Sequence, residues 1–209
     1  MNEKIPVFDI GDTLLPSEKM INETIKDHVA GAPDMDIYQY NIYRPAEIRN
    51  FLELNGLEVD AEEITKSYQE KVKIHLEENK LFELFEKINQ ENGFVGFISD
   101  NSLELKYFWQ DMLRERGLNP RIIVSEEVGA EKPDLQIFER FLNLSEYDNP
   151  EKYVYFGNNV EKDSAAEDTG MTFVWVSEHE TGEESFVGPE ISEFNQKNVE
   201  KMLEKVENQ

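Results

Sequence analysis

The chain has 209 residues, enough for one packed α/β domain with a smaller insertion. Acidic residues outnumber basic ones 45 to 21, and the formal charge of -24 is spread along the whole length, which argues against nucleic acid and anionic membrane surfaces as partners. The absence of cysteine excludes disulfides, a thiolate nucleophile and a zinc-thiolate site, and the 3 histidines (His28, His75 and His179) are too scattered to suggest a ligand cluster.

The first apolar run, Ile5–Phe8, is apolar on both faces and predicts a buried parallel strand. From about Pro16 to Lys87 no strand pattern follows. Pro45, after Tyr43-Arg44, predicts a helix start, and Asp60 with Glu63 reads as a capping box opening a helix through Ile64, Tyr68, Val72 and His75. Leu81, Leu84, Phe85 and Ile88 recur at helical spacing. Residues 94–98 then predict a second strand, followed by a helix on Leu105, Phe108, Trp109 and Met112 that Gly117 stops. Residues 121–124, residues 153–156 and Thr172–Val176 predict three more strands, with a small-residue helix before Gly170. Val199, Met202, Leu203 and Val206 give a last helix its apolar stripe. Strands alternating with helices predict an α/β, doubly wound (Rossmann-like) parallel sheet core. Residues 1–15 and 90–209 form this core, and residues 16–89 an inserted α-helical cap over the end of the first strand.

In an open α/β sheet, ligands bind beyond the carboxyl ends of the strands. After the first strand, Asp9 enters the turn Ile10-Gly11-Asp12-Thr13, where a carboxylate is exposed, rigidly aimed and partly desolvated, as a carboxylate nucleophile requires. After the second comes Ser99-Asp100-Asn101, a hydroxyl able to donate to an anionic oxygen, or simply a helix cap. After the third, the string from Ser125 to Asp134 sets Lys132 before Pro133, a fixed point charge for a phosphoryl oxygen. After the fourth, Gly157-Asn158-Asn159 leads to Asp163, able to hold a hard cation or to cap a surface helix.

In this order and spacing the four strings resemble the haloacid dehalogenase-like (HAD) superfamily, over essentially the whole chain. Phe8-Asp9-x-x-x-Thr13-Leu14 is similar to its first motif, Ile98-Ser99 to its second, Ser125-Glu126-Glu127-Val128-Gly129 through Lys132-Pro133 to its third, and Gly157 with Asp163 to its fourth. The third is the most specific. The insertion between the first two motifs matches a cap of the C1 type. The resemblance implies a hydrolase in which Asp9 attacks an electrophilic centre, usually phosphorus, to give an aspartyl intermediate that water hydrolyses. It implies that Thr13 and Ser99 orient phosphoryl oxygens and that Lys132 neutralises charge. It further implies Mg²⁺ between Asp9, the main-chain carbonyl of Gly11 and Asp163, with Asn158 offering its amide oxygen. The substrate so implied is a small phosphorylated metabolite.

Two departures bear on this. Gly11 stands where family phosphatases carry a second Asp, the general acid and base, and Asn158 stands where their fourth motif has Asp. Loss of a general acid is expected to cost ~10²–10⁴-fold in rate, and Asp12 is expected to cover part of the role. The departures also suit a catalytically weak or inactive binding protein, or a haloacid dehalogenase, which needs no metal but usually has Asn at the position of Asp100. A phosphonatase needs a cap lysine, and nothing marks Lys26, Lys66, Lys71 or Lys73 for it. Tyr38, Tyr40 and Tyr43 with Arg44 either line a substrate pocket or pack the insertion's own core. No segment reaches the ~20 apolar residues of a membrane span and the N-terminus has no signal-peptide apolar region, so the expected location is the cytoplasm. The acidity suits a salt-rich cytoplasm, as in a halophile, or an ordinary acidic cytosolic enzyme.

Overall fold

The computed structural model describes residues 4–144, 149–178 and 186–208, and His179 lies outside them. Six strands form one sheet: β1 (Ile5–Phe8), β2 (Val95–Ser99), β3 (Pro120–Val124), β4 (Tyr153–Gly157), β5 (Thr172–Val176) and the two-residue β6 (Glu190–Ile191). Their order is β3-β2-β1-β4-β5-β6 and every neighbouring pair is parallel. This is the α/β, Rossmann-like architecture expected from the alternation of elements, with β6 as an addition. The strand order reverses between β1 and β4, and that reversal opens the crevice where such sheets bind ligands.

Burial on both sides explains why these strands read as continuous apolar runs rather than as alternating ones. On one face Phe8 meets Phe156 at 5.5 Å, Phe85 at 5.9 Å and Phe97 at 6.1 Å between ring centroids, and Trp109 packs against Phe97 with tilted rings at 5.5 Å. Phe85 comes from α4 (Leu81–Asn92) and Trp109 from α5 (Leu103–Glu115). On the other face α7 (Leu135–Leu144), which follows the one-turn helix α6 (Ser125–Val128), sets Phe138 edge-on to Tyr155 at 5.3 Å and Phe141 edge-on to Tyr153 at 5.7 Å. Gly96 makes room there: a Cβ on it would stand 2.6 Å from the Phe141 ring. The last helix, α9 (Gln196–Glu207), buries Val199, Met202, Leu203 and Val206, the stripe read from the sequence.

The chain divides into two compact units, one of Met1–Leu14 with Asn79–Gln209, the other of Leu15–Glu78. Residues 79–89, expected in the insertion, belong to the first unit. Leu81, Leu84, Phe85 and Ile88 are buried, and Phe85 packs on Phe8 and Phe97 of the sheet, so α4 is a core helix.

The second unit is helical: α1 (Ser17–His28), α2 (Pro45–Leu54) and α3 (Ala61–Glu78). Pro45 opens α2, where its missing N–H would have had no partner. Asp60 caps α3, accepting from the Glu62 N–H at 2.9 Å. The buried stripe of α3 runs Ile64, Tyr68, Val72 and then Leu76 in place of His75. Tyr43 stands edge-on to Tyr68 at 5.4 Å and Tyr40 to Phe51 at 5.6 Å, so both tyrosines pack within this unit. Tyr38 is exposed, and Arg44 pairs with Glu47 at 3.4 Å.

Candidate active site

The tips of three strands, β1, β3 and β4, converge through five side chains. Asp9 directly follows β1, and its N–H donates to the Phe156 carbonyl at 2.8 Å, which ties it to the neighbouring strand at the reversal point. In the turn beyond, the Thr13 hydroxyl lies 3.3 Å from Asp9 Oδ2 and 3.2 Å from Asn158 Oδ1. Thr13 thus joins the end of β1 to the end of β4. Asn158 is steadied from behind, since Trp175 Nε1 donates to its carbonyl at 2.9 Å. Asp12 takes a left-handed φ of 52°, which Asp tolerates better than most residues, and sits half-buried in the same turn as Gly11.

Lys132 is the hub. Its Nζ is 3.0 Å from Asp9 Oδ1, 2.7 Å from Asp163 Oδ1 and 3.1 Å from the Tyr155 hydroxyl. It is almost wholly buried, as are Asp9, Ser99 and Asp163. A charge in such a place is tolerable only when paired and hydrogen-bonded. The loop that carries Lys132 is pinned by Asp100, whose Oδ1 accepts from the Lys132 N–H at 2.8 Å while Oδ2 accepts from Lys162 Nζ at 3.1 Å. Ser99, one residue earlier at the tip of β2, is 2% exposed, and its hydroxyl has no protein partner among the described residues.

Asp163 ends α8 (Val160–Asp163), the short helix after β4. Its Oδ1 accepts from Lys132, its Oδ2 accepts from the Asn159 N–H at 2.9 Å, and Gly157 leaves the space it fills. Asp163, expected among the metal ligands, has a fully buried carboxylate that anchors Lys132 and accepts hydrogen bonds on both oxygens. Asp9, Thr13, Lys132, Asn158 and Asp163 are therefore brought together, Ser99 stands at the adjacent strand tip, and Gly11 and Asp12 lie in the Asp9 turn.

Sequence reading missed Tyr155, Asn159 and Lys162, and it noted Asp100 only as a departure. A tyrosine inside the apolar run Tyr153-Val154-Tyr155-Phe156 reads as core, and its ring is core. The available signal was position, a hydroxyl two residues before the glycine that ends a site-bearing strand.

The electrostatics follow from burial and pairing. Burial pushes the Asp9 carboxyl up, Lys132 pulls it back and Asp163 pushes again, leaving it raised to about 6. Burial alone would lower Lys132, but Asp163 and then Asp9 outweigh it and hold the ammonium well above its ordinary value. Tyr155 is pushed well up by burial and by Asp163, so it keeps its proton.

Among the described residues no group of three or more His, Cys, Asp or Glu is set to hold a metal. Of the expected donors, the Asp9 carboxylate, the Gly11 carbonyl and the Asn158 amide oxygen lie at the ends of β1 and β4, while Asp163 is engaged by Lys132. The Asp9 and Asn158 oxygens converge on one hydroxyl, that of Thr13. This suits Mg²⁺ at the lean end of its range, since that ion binds through one or two carboxylates and takes its other ligands from water and substrate phosphate.

The family model for haloacid dehalogenase-like hydrolases matches residues 7–176. The chain belongs to the HAD family. The HAD fold is borne out by solved structures as well. A HAD phosphatase from Thermococcus onnurineus aligns with 96% of this chain and 97% of its own, at a TM-score of 0.54 and 18% identity. A 2-haloacid dehalogenase from Pseudomonas syringae pv. Tomato DC3000 covers 97% and 98%, at 0.54 and 17%. The HAD-hydrolase YfnB from Bacillus subtilis, solved bound to magnesium, covers 96% and 98%, at 0.55 and 15%. At these identities the likeness is one of fold, and it spans phosphatases and dehalogenases alike. No curated protein matches the chain.

Proposed function

We propose that this HAD hydrolase is a Mg²⁺-dependent phosphatase of a small phosphorylated metabolite, working through an aspartyl-phosphate on Asp9. The observation that carries the reading is the buried pairing of Lys132 with Asp9 at 3.0 Å and with Asp163 at 2.7 Å. It holds a carboxylate rigidly at the mouth of the sheet and fixes beside it the positive charge that an incoming phosphate needs in a chain of formal charge -24.

In the proposed reaction a carboxylate oxygen of Asp9 attacks phosphorus, the bond to the leaving oxygen breaks, and that oxygen takes a proton. Water then attacks the acyl phosphate, releasing inorganic phosphate and restoring the carboxylate. Ser99, whose hydroxyl is left open, and Thr13 donate to the phosphoryl oxygens. Asp12 supplies and later accepts the proton that Gly11 cannot. Asp9, the Gly11 carbonyl and Asn158 would hold Mg²⁺, which when bound supplies charge stabilisation to the phosphoryl oxygens.

The dehalogenase reading has one observation in its favour. The Asp100 carboxylate that would repel a haloacid is engaged on both oxygens, by the Lys132 N–H and by Lys162. The phosphatase reading is preferred because Thr13 and Ser99 add donors suited to a tetrahedral oxyanion.

The test is hydrolysis of an aryl phosphate and of small phosphorylated metabolites, with Mg²⁺ and with chelator. Turnover is expected with Mg²⁺ and not with chelator, and Asp9→Asn is expected to abolish it. Asp12→Asn is expected to slow alkyl phosphates more than aryl ones, whose acidic leaving groups need less help. Release of halide from 2-haloacids without metal, and no phosphate release, would overturn the assignment.

A further inference from the structure

We infer that Tyr155 is a positioning residue for Lys132, holding the ammonium between two carboxylates through a hydroxyl buried beneath the site. The inference rests on the reading of Lys132 and Asp9 as one machine, but not on the identity of the substrate.

A lysine ammonium has three N–H donors and no acceptor. Lys132 has three oxygens around Nζ: Asp163 Oδ1 at 2.7 Å, Asp9 Oδ1 at 3.0 Å and Tyr155 Oη at 3.1 Å. The first two are charged and supply most of the attraction. The third takes the remaining donor and completes the set of three that fixes the rotation of the ammonium. Tyr155 in turn is held on two sides: its ring lies edge-on to Phe138 at 5.3 Å, and its hydroxyl stands 3.1 Å from the Ile98 carbonyl and 3.2 Å from Asp163 Oδ1. The hydroxyl has one proton for these two acceptors, so it accepts from Lys132 while donating to one of them. Burial and Asp163 keep that proton in place.

With all three donors engaged by protein, Lys132 meets a substrate through Asp9, or exchanges one donor when substrate arrives. The Tyr155 hydroxyl is its one uncharged partner among the described residues, and the one whose loss leaves both ion pairs formally intact. Without that hydroxyl the ammonium carries a buried donor with no partner and turns toward other acceptors.

The experiment uses the full chain and Tyr155→Phe, which keeps the ring and its contact with Phe138. The direct readout is the ¹⁵N–¹H signal of the lysine ammonium groups in metal-free protein, with the Lys132 signal identified by its absence in Lys132→Arg. The Lys132 signal is expected to be protected from solvent exchange in the wild type, and to shift and exchange faster in Tyr155→Phe. Substituting 3-fluorotyrosine at 155, which keeps the hydroxyl and its packing but weakens it as an acceptor, is expected to shift the signal part of the way. In turnover, kcat is expected to fall roughly 10-fold or more with KM little changed. An unmoved Lys132 signal in both variants overturns the inference. So does a Tyr155→Phe enzyme with unchanged kcat and only a lower melting temperature. The ammonium signal needs no substrate, so a wild type that hydrolyses no phosphate ester would defeat the proposed function and leave this test standing.

Discussion

At the scale of single residues, Asp9 carries a stability cost that its chemistry explains. Its carboxyl, ordinarily near 3.8, is raised to about 6 in the fold, chiefly by burial. Below pH 3.8 the folded and unfolded chains both keep the proton, and the contribution of this group to stability is fully present. Between that value and about 6 the unfolded chain releases the proton while the folded chain retains it, so stability falls as pH rises. Above about 6 the whole cost applies. Asn at this position cannot ionise and escapes it. Metal-free Asp9→Asn is therefore expected to gain on the wild type as pH rises from about 4 to about 8, by on the order of 3 kcal/mol, in denaturant melts at the two pH values. A gap that stays level or narrows would mean that Lys132, the largest opposing influence, fully compensates the burial.

At the scale of elements, the turn from β4 into α8 governs the site, and Gly157 is its tightest point. A Cβ there would stand 2.4 Å from Asp163 Oδ2 and 2.5 Å from its carboxyl carbon. Asp163 has no slack to give, because Lys132, Tyr155 and the Asn159 N–H hold it. Gly157→Ala is expected to cost about 1–3 kcal/mol of stability by overpacking, and to lower kcat further than the melting shift alone would suggest, because the displaced carboxylate is the anchor of Lys132. A variant with near-normal turnover would show that the Lys132 network tolerates displacement of Asp163.

Much at this scale was legible in the sequence. Five strands and the helices between them announced themselves because burial on both faces demands unbroken apolar runs, and because helix stripes recur at a fixed spacing. The third-motif string placed Lys132. What escaped was what depends on partners rather than pattern. β6 is two residues long, Glu190–Ile191, one of them exposed, too short to have a period. The stripe of α4 shows that it is amphipathic but not which unit it packs on, and only the Phe85 contacts decide that. An aspartate after a glycine turn reads as a metal ligand or as a helix cap, and its contact with Lys132 depends on a neighbour distant in sequence.

At the scale of the whole molecule the excess of acid is the dominant fact. Among the described residues the surface ion pairs include Lys26 with Asp34, Arg49 with Glu62, Lys73 with Glu70 and Lys87 with Glu200, all with partly exposed side chains. Exposed pairs of this kind contribute about 0–1 kcal/mol each, and 21 basic residues are too few to pair with all 45 acidic ones. Added salt weakens the pairs and the repulsion together, but the repulsion acts over longer distances and among more groups. It is therefore the larger loss as the screening length falls from roughly 10 Å at 0.1 M to roughly 3 Å at 1 M. The melting temperature is expected to rise steadily with sodium chloride over that interval. Screening depends on ionic strength, whereas exclusion of salt from the protein surface favours sulfate over chloride. Equal gains at matched ionic strength would identify charge repulsion as the term being relieved. A gain confined to sulfate, or a melting temperature indifferent to chloride, would mean that the fold already disperses its charge without added salt.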